Sequence, residues 1–399
     1  MEILPCQIDA YQQKADCEVL SCEPQKNHYQ VILAKSILYP EGGGQPPDQG
    51  WLGEARVTDV QKHEPGLVKC TVDREVPTGT IQARVDWERR FDFMQQHSGQ
   101  HLLTALANER LNAPTVGFHL GLEHATIELK TDHFTKEHQE QLLTWANQAI
   151  REARPIRWEV VTPEQYKQKP IRSRGLPDGH QGDIRLIEIE GIDLNTCGGT
   201  HVSSTSELQM ITFVGMEKIR GNFRLSYLAG ERARKRFQQQ FQRERQLSEL
   251  LSNGPEQHLE LVQKLQTSLG QAKKVQSSLH QELASLLGQS LAQSAGSWGE
   301  SLCVMHREEQ DFRFLESIAN VCLQHKPEAL VVLTASSQPK GPGVFFCAGN
   351  PQQVKKAGDI IAQVMDGRGG GRPGRYQGKI NHIEKREDAC QALAKHFAQ

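Results

Sequence analysis

The chain reads as an α+β multidomain protein, and three observations point there. Its 399 residues exceed what one hydrophobic core organises. Residues 1 to about 90 carry short β-branched runs between glycines and prolines, whereas 231 to about 294 is helical throughout. Between and after these stretches, strand and helix patterns alternate. The expected organisation is a β-barrel-like N-terminal domain (1–88), an α+β core (89–230), a long helical, coiled-coil arm (231–296) and a C-terminal α+β domain (297–399).

Each element has a local cause. "HYQVILAKSILYP" (from His28) and "GLVKCTVDREV" (from Gly66) are rich in β-branched residues and bounded by Gly and Pro, as strands are. "PEGGGQPPDQG" (Pro40 to Gly50) is a loop between strands, and the set suggests a small barrel or sandwich. "DWERRFDFMQQHSGQHLLTALANERL" then turns helical, with apolar Phe93, Met94, Leu102, Leu103, Leu106 and Leu111. Asp92 or Ser98 is expected to cap a turn there, and Gly99 to weaken the helix. "HATIELK" is a strand and "KEHQEQLLTWANQAIREA" an amphipathic helix. "IRLIEIEGIDLNTCGGTHV" is a strand entering a glycine turn, and "LQMITFVGMEKI" and "NFRLSYLAG" follow as strands. In the arm, Val262, Leu265, Leu269, Ala272, Val275, Leu279, Leu283 and Leu286 recur three or four apart, a coiled-coil or helical-hairpin seam broken at Gly254-Pro255. The last domain holds strands "EALVVLTA" and "GVFFCAG", a helix "QQVKKAGDIIAQVMDG" and a basic glycine loop "GRGGGRPGRYQGK".

Composition narrows the function classes. Apolar residues are 37% and charged residues 24%, values of a folded soluble protein. The net charge of −2 means that a polyanion must be met by a local basic patch. No run approaches the ~20 apolar residues of a membrane helix, and the first residues lack the basic start and apolar core of a secretory signal. A cytoplasmic protein is expected. The nine cysteines are scattered and odd in number, unlike a disulfide scaffold. Cys17 and Cys22 lie near each other but have no matching second pair, so they read as ordinary thiols.

Two short motifs carry chemistry. On a helix, His97 and His101 share a face, one turn apart. Cys197 and His201 have the same spacing, but Gly198 and Gly199 make theirs a turn. Three imidazoles and one thiolate form a Zn²⁺ ligand set. Each pair alone is weak, since histidines four apart on a helix are commonly plain surface or core residues. His119, His124 and His180 read as ordinary polar residues. Four protein ligands ordinarily close a structural site; catalysis needs a vacant or exchangeable position.

"HSGQH", "CGGTH" and "YPEGGGQPPDQG" resemble the editing domain of alanyl-tRNA synthetase, and more closely the free-standing alanyl-tRNA editing proteins (AlaX) in their long form. "GRGGGRPGRYQGK" is similar to the glycine-rich loop of the synthetase's C-terminal domain, so the resemblance runs from about residue 5 to 395. It implies hydrolysis of the ester joining serine, and secondarily glycine, to alanine tRNA, with one Zn²⁺ per chain held by His97, His101, Cys197 and His201. Gln45 falls on a glutamine implicated in editing. Ser36 falls where many members carry a threonine that senses the serine hydroxyl; it keeps the hydroxyl and loses a methyl.

These residues suit that chemistry. Zinc can polarise a carbonyl and lower the pKa of bound water toward ~7. Gly42, Gly43 and Gly44 permit close backbone approach and leave amide donors for a developing oxyanion. An apolar pocket separates near-isosteres by ~100-fold at best, so a buried hydroxyl, Ser36, is the expected discriminator between serine and alanine. Arg368, Arg372, Arg375 and Lys379, with Tyr376 as a stacking face, are the expected tRNA contacts, joined by Arg89 and Arg90 near the acceptor stem. The arm is either a spacer or a dimer seam. The rival readings are a tRNA-binding module with a structural zinc, or an editor of another mischarged tRNA, such as threonine tRNA carrying serine. No nucleotide-activation motif is visible, so a full synthetase is not expected.

Overall fold

The computed structural model describes residues 3–172, 182–294, 301–308 and 311–397; His180 lies outside them. The backbone divides into two compact units, Met1–Gln246 and Leu247–Gln399.

The first unit opens with a short helix, α1 (Pro5–Ile8), and six strands: β1 (Lys14–Pro24), β2 (Tyr29–Ala34), β3 (Gly50–Leu52), β4 (Ala55–Lys62), β5 (Leu67–Val72) and β6 (Gly79–Val85). They close into a barrel in the order β1-β2-β5-β4-β3-β6. The period-2 pattern explains the closure: Val31 and Leu33 of β2 and Val68, Cys70 and Val72 of β5 all point into one buried core. Of the two expected all-β forms, the chain takes the barrel.

Helix α2 (Trp87–Leu111) follows at once. Its cap is Asp86, whose carboxylate accepts from the Arg89 amide; Asp92 and Ser98, the expected caps, lie inside it. Gly99 does not break the helix. A Cβ there would come within 3.3–3.5 Å of Ala229, Tyr227 and Ile211, so the missing side chain lets α2 lie directly on a sheet. That sheet has the order β12-β13-β8-β7, from β7 (Thr115–Leu120), β8 (Ala125–Leu129), β12 (Ile211–Ile219) and β13 (Asn222–Ala229). Helix α3 (Lys136–Arg151), β9 (Ile156–Val161), α4 (Pro163–Gln168), β10 (Ile184–Ile189) and β11 (Asp193–Thr196) lie between β8 and β12 in sequence, and β11-β10-β9 form a second sheet. The segment read as a single strand is therefore a β10–β11 hairpin. Gln96 of α2 pins the helix by donating to the Ala229 carbonyl and accepting from its amide.

Helices α5 (Glu231–Leu251) and α6 (His258–Gln293) fill the expected arm, parted at Gly254-Pro255. The described residues of the single chain do not show a coiled coil. Leu265, Leu269, Val275 and Leu279 of the expected seam are more than half exposed. The residues of α6 that are buried are Ala284, Gly288 and Leu291, which belong to its last turns. There α6 packs on α7 (Phe312–His325), because small Ala284 and Gly288, four apart, allow close approach.

The remaining strands are β14 (Leu302–Arg307), β15 (Leu330–Ala335), β16 (Gly343–Ala348), β17 (Gly367–Arg372) and β18 (Arg375–Ile380), in the order β14-β15-β16-β18-β17. Only β14 and β15 pair in parallel. α6 and α7 cover one face, and α8 (Pro351–Val364) and α9 (Arg386–Phe397) the other. Hence β15 is buried along its whole length. The basic "glycine loop" is instead the β17–β18 hairpin. Its alternation puts Arg368 and Arg372 opposite Lys379 and Arg375 on one face, while Tyr376 and Ile380 turn to the other core.

Candidate metal centre

The two expected pairs meet. α2 carries His97 and His101 on one buried face. After β11 the chain turns sharply through Cys197–Gly199 and delivers Cys197 and His201 opposite them. The four donor atoms lie within 4.8 Å of one another. Cys197 Sγ is 3.5 Å from His97 Nε2 and 3.2 Å from His201 Nε2. Only glycine fits at 199, where a Cβ would stand 2.2 Å from His97 Cε1. Arg185 of β10 clamps the turn by donating to the Cys197 and Gly199 carbonyls at 2.7 and 3.0 Å, and Gln7 donates to the Gly198 carbonyl at 2.7 Å.

Each imidazole is held by its other nitrogen. His97 Nδ1 is 2.9 Å from Gln45 Oε1, His101 Nδ1 is 3.1 Å from Asp193 Oδ2, and His201 Nδ1 is 3.1 Å from Ser98 Oγ. The Gln45 and Asp193 oxygens can only accept, so those Nδ1 atoms carry hydrogen and the Nε2 atoms are the available donors. Asp193 is fixed in turn by Arg172, whose Nε and Nη2 donate at 2.9 and 2.8 Å.

The cluster's electrostatics favour an ionised thiol. Burial opposes charge on Cys197, but the imidazoles of His97 and His201 and hydrogen bonds from His101 and His201 outweigh it and hold the thiol well below its ordinary range. Burial also opposes charge on His101, yet its bonds to Asp193 and Cys197 raise it to about 9. Burial pushes His201 down to about 3, leaving it neutral. The donor set suits zinc in kind: with Zn–S of about 2.3 Å and Zn–N of about 2.0 Å, the edges of a tetrahedron are about 3.5 Å, which the Cys197 contacts match and the widest donor separation, up to 4.8 Å, exceeds.

The cluster floors a cleft of ≈ 700 Å³, lined also by Gly43, Gly44, Gln100, Thr104, Thr115, Phe118 and Arg172. Phe118 lies across from His97, with ring centroids 6.2 Å apart and planes 30° apart. Among the expected substrate residues, Gly43 and Gly44 reach this cleft; Gly42 and Gln45 do not line it. Gly42 and Gln45 exchange backbone hydrogen bonds of 3.2 and 3.0 Å, so their amides are engaged with each other. Gln45 is buried and serves His97 and Thr200.

Ser36 is corrected. It is fully buried, accepts from the Leu38 amide at 3.1 Å, and does not line the cleft. Arg90 is corrected. Its guanidinium is wholly buried, paired with Asp48, and donates to the Ala10 and Ile37 carbonyls at 3.0 and 2.7 Å, which leaves nothing for phosphate. Arg89 lies over Phe93 and donates to the Pro47 carbonyl. In the second unit, Arg368, Arg372 and Lys379 are exposed, whereas Arg375 is paired with Glu316 and donates to Asn320. Tyr376 stacks on Phe345 and donates to Asp359.

Sequence reasoning missed Gln100, Thr104, Arg172 and Asp193. Thr104 had a signal, since it follows His97 and His101 at helical spacing. Asp193 had none, because only the β10–β11 hairpin brings it under His101.

A helix-borne histidine pair joined to a cysteine–histidine turn has counterparts. Residues 184–225, which include that turn, match the family model tRNA_SAD, the threonyl and alanyl tRNA synthetase second additional domain. The chain is thus of the class that carries a synthetase-type additional domain. It is 39% identical over 403 residues to alanyl-tRNA editing protein Aarsd1-A of Xenopus laevis, covering 98% of this chain and 97% of that one. It is 37% identical over 406 residues to Aarsd1 of Mus musculus, with 98% and 97% covered. It is also 29% identical over 381 residues to alanine–tRNA ligase of Pyrococcus furiosus, covering 91% of this chain and 40% of that one. The chain belongs to the alanyl-tRNA editing protein family. Among the described residues, no helix is long and apolar enough to cross a membrane.

Proposed function

We propose that the protein is a trans-editing deacylase: it hydrolyses the ester of alanine tRNA mischarged with serine, and secondarily glycine, with Zn²⁺ held by His97, His101, Cys197 and His201. The observation that carries this is the position of the cluster. Three of its four side chains open onto a cleft large enough for an aminoacyl-adenosine, where a purely structural zinc would be enclosed.

Bound zinc would supply Lewis-acid polarisation and a water of lowered pKa. The chain's own groups do the rest. Gln45, Asp193 and Ser98 keep the imidazoles aimed. The Gly43–Gly44 wall lets the ester approach the backbone closely. Arg368, Arg372 and Lys379, on one exposed hairpin face, suit the tRNA phosphates.

Alanine tRNA charged with serine, glycine or alanine, and threonine tRNA charged with serine, should be offered to the purified protein. Release of serine from alanine tRNA, lost on chelation while circular dichroism stays native, is the expected result. The completed four-ligand set favours the second reading, a tRNA-binding module with a structural zinc. No serine release, with unfolding on chelation, would establish that reading instead.

A further inference from the structure

The cleft contains a polar group that the proposal above leaves unused. Thr104 stands on α2 one residue short of a full turn beyond His101, and it lines the cleft. It is only 4% exposed. Its Oγ1 accepts from Gln100 Nε2 at 2.9 Å and from Thr115 Oγ1 at 3.1 Å. Both lone pairs are therefore occupied, and among the described residues the hydroxyl's own proton has no acceptor. A hydroxyl so fixed is a donor of one direction, nine-tenths buried, beside the metal ligands.

Its position suits one part of the substrate. The helical rise sets Thr104 about 4.5 Å farther along α2 than His101. In a seryl ester the side-chain oxygen stands roughly 3–4 Å from the carbonyl carbon. An ester carbonyl over the histidines thus brings the serine oxygen to the level of Thr104.

We infer that Thr104, steadied by Thr115 and Gln100, reads the serine hydroxyl; the inference rests on the deacylase proposal. Serine's oxygen accepts the Thr104 proton. Alanine's methyl displaces water from that proton without replacing the bond, which disfavours alanine by desolvation. Glycine has no side chain there, so a water can remain on the hydroxyl. Correct alanine tRNA is spared because the site holds a donor that alanine cannot satisfy.

The test is calorimetric binding to the full-length, zinc-loaded protein of two non-hydrolysable probes, 3′-seryl and 3′-alanyl amides of 3′-deoxy-3′-aminoadenosine. The wild type should prefer the seryl probe. Thr104→Val should cut that preference at least about tenfold, and Thr104→Ser should keep it. Thr115→Val, which removes the supporting donor, should cut it less; it also serves as the probe variant if Thr104→Val does not fold. A folded, zinc-replete Thr104→Val that discriminates as the wild type does overturns the assignment and leaves the deacylase proposal standing. A wild type that neither prefers the seryl probe nor releases serine from alanine tRNA overturns the proposal itself.

Discussion

Gln45 Oε1 accepts hydrogen bonds from His97 Nδ1 at 2.9 Å and from the Thr200 amide at 3.0 Å. One oxygen from the barrel's glycine loop thereby ties the helix-borne half of the ligand set to the turn-borne half. Gln45 Nε2 completes the clamp by donating to Thr200 Oγ1 at 2.8 Å. Removing the acceptor frees the His97 ring to rotate and change tautomer. Gln45→Leu should weaken zinc binding about 10–100-fold, read by competition with a chromophoric chelator. Gln45→Glu keeps an acceptor at the same reach and should lose less. Equal affinity for Gln45→Leu and wild type would mean that packing alone orients His97.

Asp193 plays the matching role under His101, but as a charge. It accepts from His101 Nδ1 and from two nitrogens of Arg172. Asp193→Asn removes the charge and gives Arg172 a neutral partner, so zinc affinity should fall about tenfold or more. Arg172→Met leaves the Asp193–His101 bond intact and should cost less. The order of the two losses, measured in the same competition assay, is the check; a larger loss for Arg172→Met would mean that the arginine, not the carboxylate, positions the ring.

How much of this site could be read beforehand depended on sequence distance. His97, His101 and Thr104 share a helix face, and helical spacing alone implies that. Cys197 and His201 announced a turn through Gly198 and Gly199. Their meeting with α2 depends on the β10–β11 hairpin and on Arg185, and no local pattern encodes that. Ser36 and Arg90 were hard to place for a shared reason: a polar residue in a sequence does not reveal whether its partner is substrate or protein. Ser36 serves the Leu38 amide, and Arg90 has Asp48, 42 residues away. The hairpin of β17 and β18 was hidden by its glycines, which lack the β-branched signature but are required where strands and the Tyr376 ring crowd. The leucine periodicity of α6 was legible, yet periodicity names no partner, and most of that seam is exposed.

The Arg90–Asp48 pair should be the most sensitive polar contact of the first unit. Both side chains are buried, and Asp48 also accepts from the Tyr39 amide at 2.7 Å. Asp48→Ala strands a buried guanidinium and should cost about 3–5 kcal/mol. Replacing both, Arg90→Met with Asp48→Leu, should cost clearly less than the single change, because no charge is left unpaired. Urea unfolding followed by tryptophan fluorescence is suited to this, since Trp51, Trp87, Trp145 and Trp158, four of the five tryptophans, lie in the first unit. A double variant as unstable as Asp48→Ala would show that the bonds to Ala10 and Ile37 carry the loss.

The hairpin face supplies the last prediction. Arg368 pairs across the strands with Lys379, and Arg372 with Arg375, so alternation gathers four cations on one side. Arg375 is already neutralised by Glu316, and Arg372 lies 3.8 Å from the same carboxylate. The charge free to meet a phosphate therefore comes mainly from Arg368 and Lys379, with Arg372 in part. Each phosphate contact releases counterions and adds about one unit to the slope of log affinity against log salt. Changing Arg368, Arg372 and Lys379 to Gln should weaken alanine tRNA binding and flatten that slope by about 2–3 units. Arg375→Gln should flatten it by less than one unit and instead release Glu316. Because the hairpin and the metal cluster belong to different compact units, the triple variant should keep wild-type zinc affinity. A triple variant with an unchanged salt slope would remove the hairpin from the tRNA interface.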